Sequence, residues 1–398
     1  MLFLLTGCGT PASDAPPSQA EPAPSAASAP AEVSTSAAVS PSPDAPDDGP
    51  PAGVTEAIDR ALVRRAADVP APSTVSLSVL GRTIRPEGDG YRAVAVGSSQ
   101  IAGFDALPVA IRRVFHFTPD PDQPGELLVA STEEPENERT ASDFLEPWET
   151  MRVVLRHSHG VLGVFDAGSA PSADAVMRSA KTALAVVGTS VPYAWSRTVV
   201  VYALSTPTFL AGLPDVPGGD PLALDAVSFP VRSSDGRLAG TRVALNPRVV
   251  VRDGPGAVRA RDRLLHHELV HVAVGEQDDR APLWLSEGIA EYLSVQSLAP
   301  EDRTLSRAAV RVARAGLHTL PADDAFTGLA HEASYGVSWW ACEALVASYG
   351  ELALWQLLDA YAAAPAGAGT VLADTLGIDE PTLAAKAGRL MLAHYGRG

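Results

Sequence analysis

Two short segments limit the fold of this chain more than anything else in it: His267-Glu268-Leu269-Val270-His271 and, sixteen positions after His271, Glu287 within Trp284-Leu285-Ser286-Glu287-Gly288-Ile289-Ala290-Glu291-Tyr292. On a helix, residues four apart sit one above the other, so the rings of His267 and His271 can converge on one ion. Glu268, about 100° further round, stands beside it. Zinc accepts imidazole nitrogen and carboxylate oxygen, and a catalytic zinc keeps three protein ligands and one open position for water. Glu287 is placed to be the third ligand, because residues 278–282 read as a turn followed by a proline that can start a second helix folding back on the first. Gly288 would let the two helices approach closely. Glu291, four residues beyond Glu287 and on the same face, is the candidate carboxylate to accept the second ring N–H of His267 or His271. His266 points from a different face and reads as a bystander.

The pair HELVH and WLSEGIAEY resembles the gluzincin metallopeptidases, particularly the peptidase MA-like proteins and, more distantly, the aminopeptidase N family. Many relatives carry Asp where this chain has Glu291. The likeness lies in roughly the last two fifths of the chain. It implies Zn2+ as cofactor, held by His267, His271 and Glu287, with Glu268 as the general base of peptide-bond hydrolysis and a peptide or protein as substrate. It also implies that a sheet edge above the metal, here 241–245, takes the substrate backbone as an added strand. An oxyanion formed beside the metal needs a hydrogen-bond donor, and Tyr335 resembles the tyrosine that serves this purpose in the family, with His331 one turn earlier as the rival. The alternative reading is a zinc-bearing, non-catalytic binding or scaffold protein of the cell envelope, in which a fourth protein ligand closes the open position. A serine hydrolase is disfavoured by the lack of a G-x-S-x-G elbow.

The chain starts with an apolar run ending in Leu5-Thr6-Gly7-Cys8, which resembles the lipobox of bacterial lipoproteins, with Cys8 as the lipidated residue. Residues 1–7 then read as a signal remnant, although no Lys or Arg precedes the run. Residues 8–52 are almost entirely Pro, Ala, Ser, Asp and Glu, a composition that buries too little apolar surface to offset backbone ordering and reads as a disordered linker. Together they imply an extracytoplasmic protein that meets the membrane through its lipid anchor only. If Cys8 carries lipid, Cys342 is alone and reads as core, since the chain has only two cysteines. A net charge of −17 argues against nucleic acid as a partner.

Residues 53–398 are too many for one ordinary core, so two domains are expected, both within an α+β class. In 53–168, a helix at 54–69 precedes β-rich runs at 75–79, 91–96, 114–117, 127–130 and 151–155. This helix-then-sheet order faintly resembles the nuclear-transport-factor-like cone fold. His157 and His159 fit a turn between strands better than a metal pair. In 169–398, the periodicity predicts a helix at 172–188, strands at 198–204, 226–231 and 241–245, the metal-bearing helix at 259–274, and further helices at 308–315, 337–349, 352–363 and 381–394.

Overall fold

The computed structural model describes residues 50–134, 144–213, 222–327, 330–364 and 369–396. Cys8, the signal remnant and all but the end of the linker therefore lie outside the described residues. The fold is α+β, with two sheets followed by a helical part.

The first sheet is built from β1 (Ser73–Val79), β2 (Arg85–Glu87), β3 (Gly90–Ile101), β4 (Val109–Pro119) and β5 (Leu127–Glu133). All its pairings are antiparallel, in the order β1-β3-β4-β5 with β2 against β3. Helix α1 (Val54–Ala67) lies against it. The stripe Ala57, Ile58, Ala61 and Leu62 repeats at helical spacing, so one face of α1 meets the inward, alternate residues Ala93, Ala95, Phe115 and Phe117 of the paired strands β3 and β4. A one-turn helix, α2 (Pro147–Thr150), follows.

The second sheet contains β6 (Val154–Ser158), β7 (Val161–Phe165), β8 (Val199–Tyr202), β9 (Ala226–Arg232) and β10 (Leu238–Leu245), in the order β6-β7-β8-β10-β9. Two expectations change here. The strand read at 151–155 starts at Val154 and forms, with β7, the far edge of this second sheet, so the chain changes sheets before Val154 and not near residue 168. The reason is that β7 and β8 are buried along their whole length and need cover on both faces. Helix α3 (Ala173–Ser190), the crossover between them, supplies one cover. An aromatic layer including Phe144, Phe209 and Phe229 supplies the other. Second, 241–245 is not an edge: β10 is hydrogen-bonded to β8 on one side and β9 on the other. The turn at 233–237 sends the chain inward, which leaves the earlier strand β9 outermost.

The two sheets are joined through a common core. Ile101, Phe104 and Val109 of the first pack with Leu162, Val164 and Tyr202 of the second. Arg242 of β10 makes two parallel bonds to Asp105, at 2.6 and 2.9 Å, with both side chains removed from solvent. The Ala106 N–H donates to the Ala239 carbonyl at 2.8 Å beside them.

After two short helices, α4 (Thr208–Gly212) and α5 (Pro247–Val250), the chain is helical: α6 (Pro255–Val274), α7 (Leu283–Gln296), α8 (Arg307–Ala315), α9 (His331–Tyr349), α10 (Leu352–Ala363), α11 (Val371–Leu376) and α12 (Glu380–Tyr395). Leu265 and Leu269 of α6 are fully buried, and Gly275 ends the helix at a φ of 66°. Gly288 works differently from its expected role. Its Cα faces α9, where an added Cβ would stand 2.7 Å from the Ser338 carbonyl oxygen and 2.8 Å from Cys342 Sγ. The close approach is between α7 and α9, and Cys342 is buried core, as expected. Among the described residues no helix is long and apolar enough to cross a membrane.

Candidate metal centre

Helix α6 carries His267 and His271 one turn apart, and α7 packs back against it after the three-ten turn Gly275–Arg280. Glu287, in the second turn of α7, enters between the two rings. His267 Nε2 and His271 Nε2 are 3.2 Å apart. The Glu287 Oε2 atom lies 3.1 Å from the first and 3.6 Å from the second. A tetrahedral ion with bonds of about 2.0–2.1 Å needs ligand atoms about 3.3 Å apart, so this triangle has the dimensions of one face of such a site. The buried group His267, His271 and Glu287 can hold a metal ion. The donor set agrees, because Glu287 Oε2 is buried without an aligned hydrogen-bond donor despite its closeness to both rings.

Each ring has a carboxylate near its other nitrogen, aligned as a hydrogen bond at His271 and out of line at His267. Glu291 Oε1 stands 3.2 Å from His267 Nδ1. Asp278 Oδ2 stands 2.9 Å from His271 Nδ1. With its proton on Nδ1 facing Asp278, the His271 imidazole turns its Nε2 lone pair to the common point, and the carboxylate of Glu291 beside His267 Nδ1 favours the same tautomer there. Arg263, one turn before His267 on α6, donates to Glu291 Oε2. Asp278 and Arg263 were not legible as site residues. An Asp-Asp pair just past a helix end looks like any turn, and an arginine one turn before a histidine looks like a solvated residue.

The electrostatics follow from crowding acids and imidazoles away from water. Burial opposes charge on His267, but the adjacent Glu287 and Glu291 outweigh it and raise the ring to about 9. Burial likewise opposes charge on Glu287, and His271 and His267 outweigh it, holding the carboxyl at about 2. Glu291 is held at about 2 against its burial, by Arg263 and His267. The cluster therefore favours added positive charge, which a divalent ion supplies.

Glu268 is buried beside the triangle and is not part of it. Burial raises its carboxyl above the usual range, His267 and His271 pull it partly back, and Ser228 of the edge strand β9 hydrogen-bonds to it. Tyr335, in the second turn of α9, is placed by an edge-on contact with Phe326 and has its ring centroid 6.3 Å from that of His267. Burial, then Glu287 and Glu268, push its phenol well above 10, so it stays a hydrogen-bond donor. His331 lines the same cleft and is not part of the group.

The remaining histidines fall elsewhere. His266 is buried, and burial lowers its ring to about 4, so it is neutral. His159 sits in the hairpin turn between β6 and β7 at a φ of 27°, and His157 packs edge-on against Phe104.

Comparison of the sequence with protein-family models and with curated proteins finds no match to either.

Proposed function

We propose that this chain is a zinc-dependent peptidase of gluzincin type, with His267, His271 and Glu287 holding the metal. Bound there, zinc supplies Lewis acidity toward a carbonyl oxygen and lowers the pKa of water. Glu268 takes a proton from the attacking water and returns it to the leaving amine, a task suited to a carboxylate that burial makes more basic than usual. Tyr335 donates to the oxyanion that forms as the carbonyl becomes tetrahedral. The outer edge of β9, beside Glu268, offers backbone groups to an extended substrate, the role first expected of 241–245. Asp278, Glu291 and Arg263 keep the two rings aimed.

The observation that carries the reading is the triangle of two imidazole nitrogens and one carboxylate oxygen with a further carboxylate, Glu268, buried beside it and outside the group. The rival scaffold reading needs a fourth protein ligand. Among the described residues the group has three members, which supports an open position. The lipid anchor at Cys8 and an extracytoplasmic location remain part of the proposal, on the strength of the Leu-Thr-Gly-Cys segment.

The test is Glu268→Gln. The variant is expected to bind one equivalent of zinc by metal analysis, as the parent does, while peptide hydrolysis falls by about 10²–10⁴-fold. Equal turnover by parent and variant overturns the mechanism, and loss of zinc from the variant would place Glu268 among the ligands instead.

A further inference from the structure

The cleft does not stop at the metal triangle. On one side it is an open groove of about 400 Å³ under the β9 edge, running past His271 toward Asp278, Asp279 and Asp323. On the other it continues as a narrower slot of about 130 Å³ between α6, α9 and the segment before α8. Leu224, Ala226, His267, Glu268 and Tyr335 line both parts, so the two meet at His267 and Glu268, with His271 and Glu287 on the groove side. The slot follows one face of α6 from Ala257 through Ala260 and Leu264 to His267, about 15 Å of helix. Its walls are Val249, Leu305 and Trp339, and Ala257 and Ala260 keep it open. An apolar cavity of about 150 Å³ takes a benzene-sized group, so a slot of this size takes one leucine or phenylalanine side chain.

We infer, on the basis of the peptidase reading, that the enzyme is an endopeptidase that cuts inside extended chains next to a large apolar residue, which occupies the slot. The β9 edge lines the groove from Ala226 to Pro230, on both sides of Ser228 next to Glu268, so backbone laid along it runs out in both directions while one side chain enters the slot. Four of the eight acids that line it are already paired and do not stand ready to clamp a terminal ammonium. Asp279 pairs with Arg232, Asp225 with Arg248, Glu291 with Arg263 and Asp278 with His271. The slot surface is mostly apolar although Arg252 and Glu332 also line it, and the groove adds Asp278, Asp279 and Asp323, so a peptide is selected by one buried side chain while β9 holds its backbone without regard to sequence.

The experiment uses the zinc-loaded full chain and a pool of twelve-residue peptides acetylated and amidated at their ends, with products mapped by mass spectrometry. The expected result is internal cleavage, with Leu or Phe favoured over Ala on one side of the cut by about 10–100-fold. Ala260→Phe, which fills the slot from an exposed helix position, should abolish that preference while leaving zinc content unchanged. Release of one or two residues from unblocked peptides only, or cleavage without an apolar preference, overturns the inference and leaves the peptidase standing. If nothing is cleaved, binding of the blocked peptides to zinc-loaded Glu268→Gln decides. A tenfold or greater affinity gap between Leu- and Ala-centred peptides preserves selection of extended chain by the slot and removes the peptidase, whereas equal affinities remove both. Should Ala260→Phe fail to fold, the side-chain series on the parent protein decides alone.

Discussion

At the scale of single residues, the centre is organised in layers around two imidazoles. Glu287 sits opposite both Nε2 atoms, Glu291 and Asp278 hold the Nδ1 sides, and Arg263 fixes Glu291. Arg263 is a positioning residue, since among the described residues it reaches the candidate ligand His267 through Glu291. Its charge also offsets part of the acid excess, so its removal has two opposing effects: a less well aimed His267 and a more negative site. Alignment should dominate, because Glu291 loses its only arginine partner among the described residues and is free to rotate. Arg263→Gln is therefore expected to weaken zinc binding by about 10–100-fold, measured by competition with a chromophoric chelator. Arg263→Lys, which keeps the charge but not the planar fork, should recover only part of it. Unchanged zinc affinity in Arg263→Gln would mean that Glu291 is held by other contacts.

The next scale is the packing of α6, α7 and α9. The metal triangle closes only if α7 lies at a fixed height over α6, and that height is set by α9 behind it. Gly288 is next to Glu287, and the α9 backbone at Ser338 leaves no space for a side chain there. Gly288→Ala must push α7 away from α9, because the obstructing oxygen is main chain and cannot rotate aside. A cost of about 1–3 kcal/mol is expected for such overpacking, read by chemical denaturation. Zinc affinity should fall with it, since Glu287 moves with the helix. A stable variant with parental zinc affinity would show that α9 yields instead.

For the whole molecule, the two sheets meet across a buried polar junction that is separate from the metal centre. The Tyr202 hydroxyl donates to Glu146 Oε2 at 2.7 Å, close to the Asp105–Arg242 pair. Burial raises the Glu146 carboxyl from 4.5 to about 7, with Arg242 and Tyr202 opposing the rise. The folded value is above the unfolded one, so the native state binds the extra proton. The contribution to stability is complete below about pH 4.5 and is lost as pH rises to about 7. Glu146→Gln keeps an acceptor for Tyr202 and removes the titration. Between pH 5 and pH 8 the parent should lose on the order of 2–3 kcal/mol relative to this variant, measured by urea unfolding at each pH. Parallel pH profiles would show that Glu146 is charged in the folded protein.

Local pattern alone determined a good deal of this protein. The helices α1, α3, α6 and α10 follow from the spacing of their apolar residues, and the convergence of His267, His271 and Glu287 follows from a four-residue step on one helix and a turn that returns a second helix to it. Those relations are short in sequence and repeat with the period of the backbone. The tertiary structure decided what depends on distant neighbours. It assigned β7, a run apolar on both faces, to the second sheet; it put β9 and not β10 at the edge beside Glu268; and it gave Gly288 to α9. It also brought Asp278, Arg263 and Ser228 to the site from positions where their local sequence matches ordinary turn, helix and strand residues. An acid or a serine carries no mark of its partner, because an ion pair or hydrogen bond depends on where two chain segments are brought together in space.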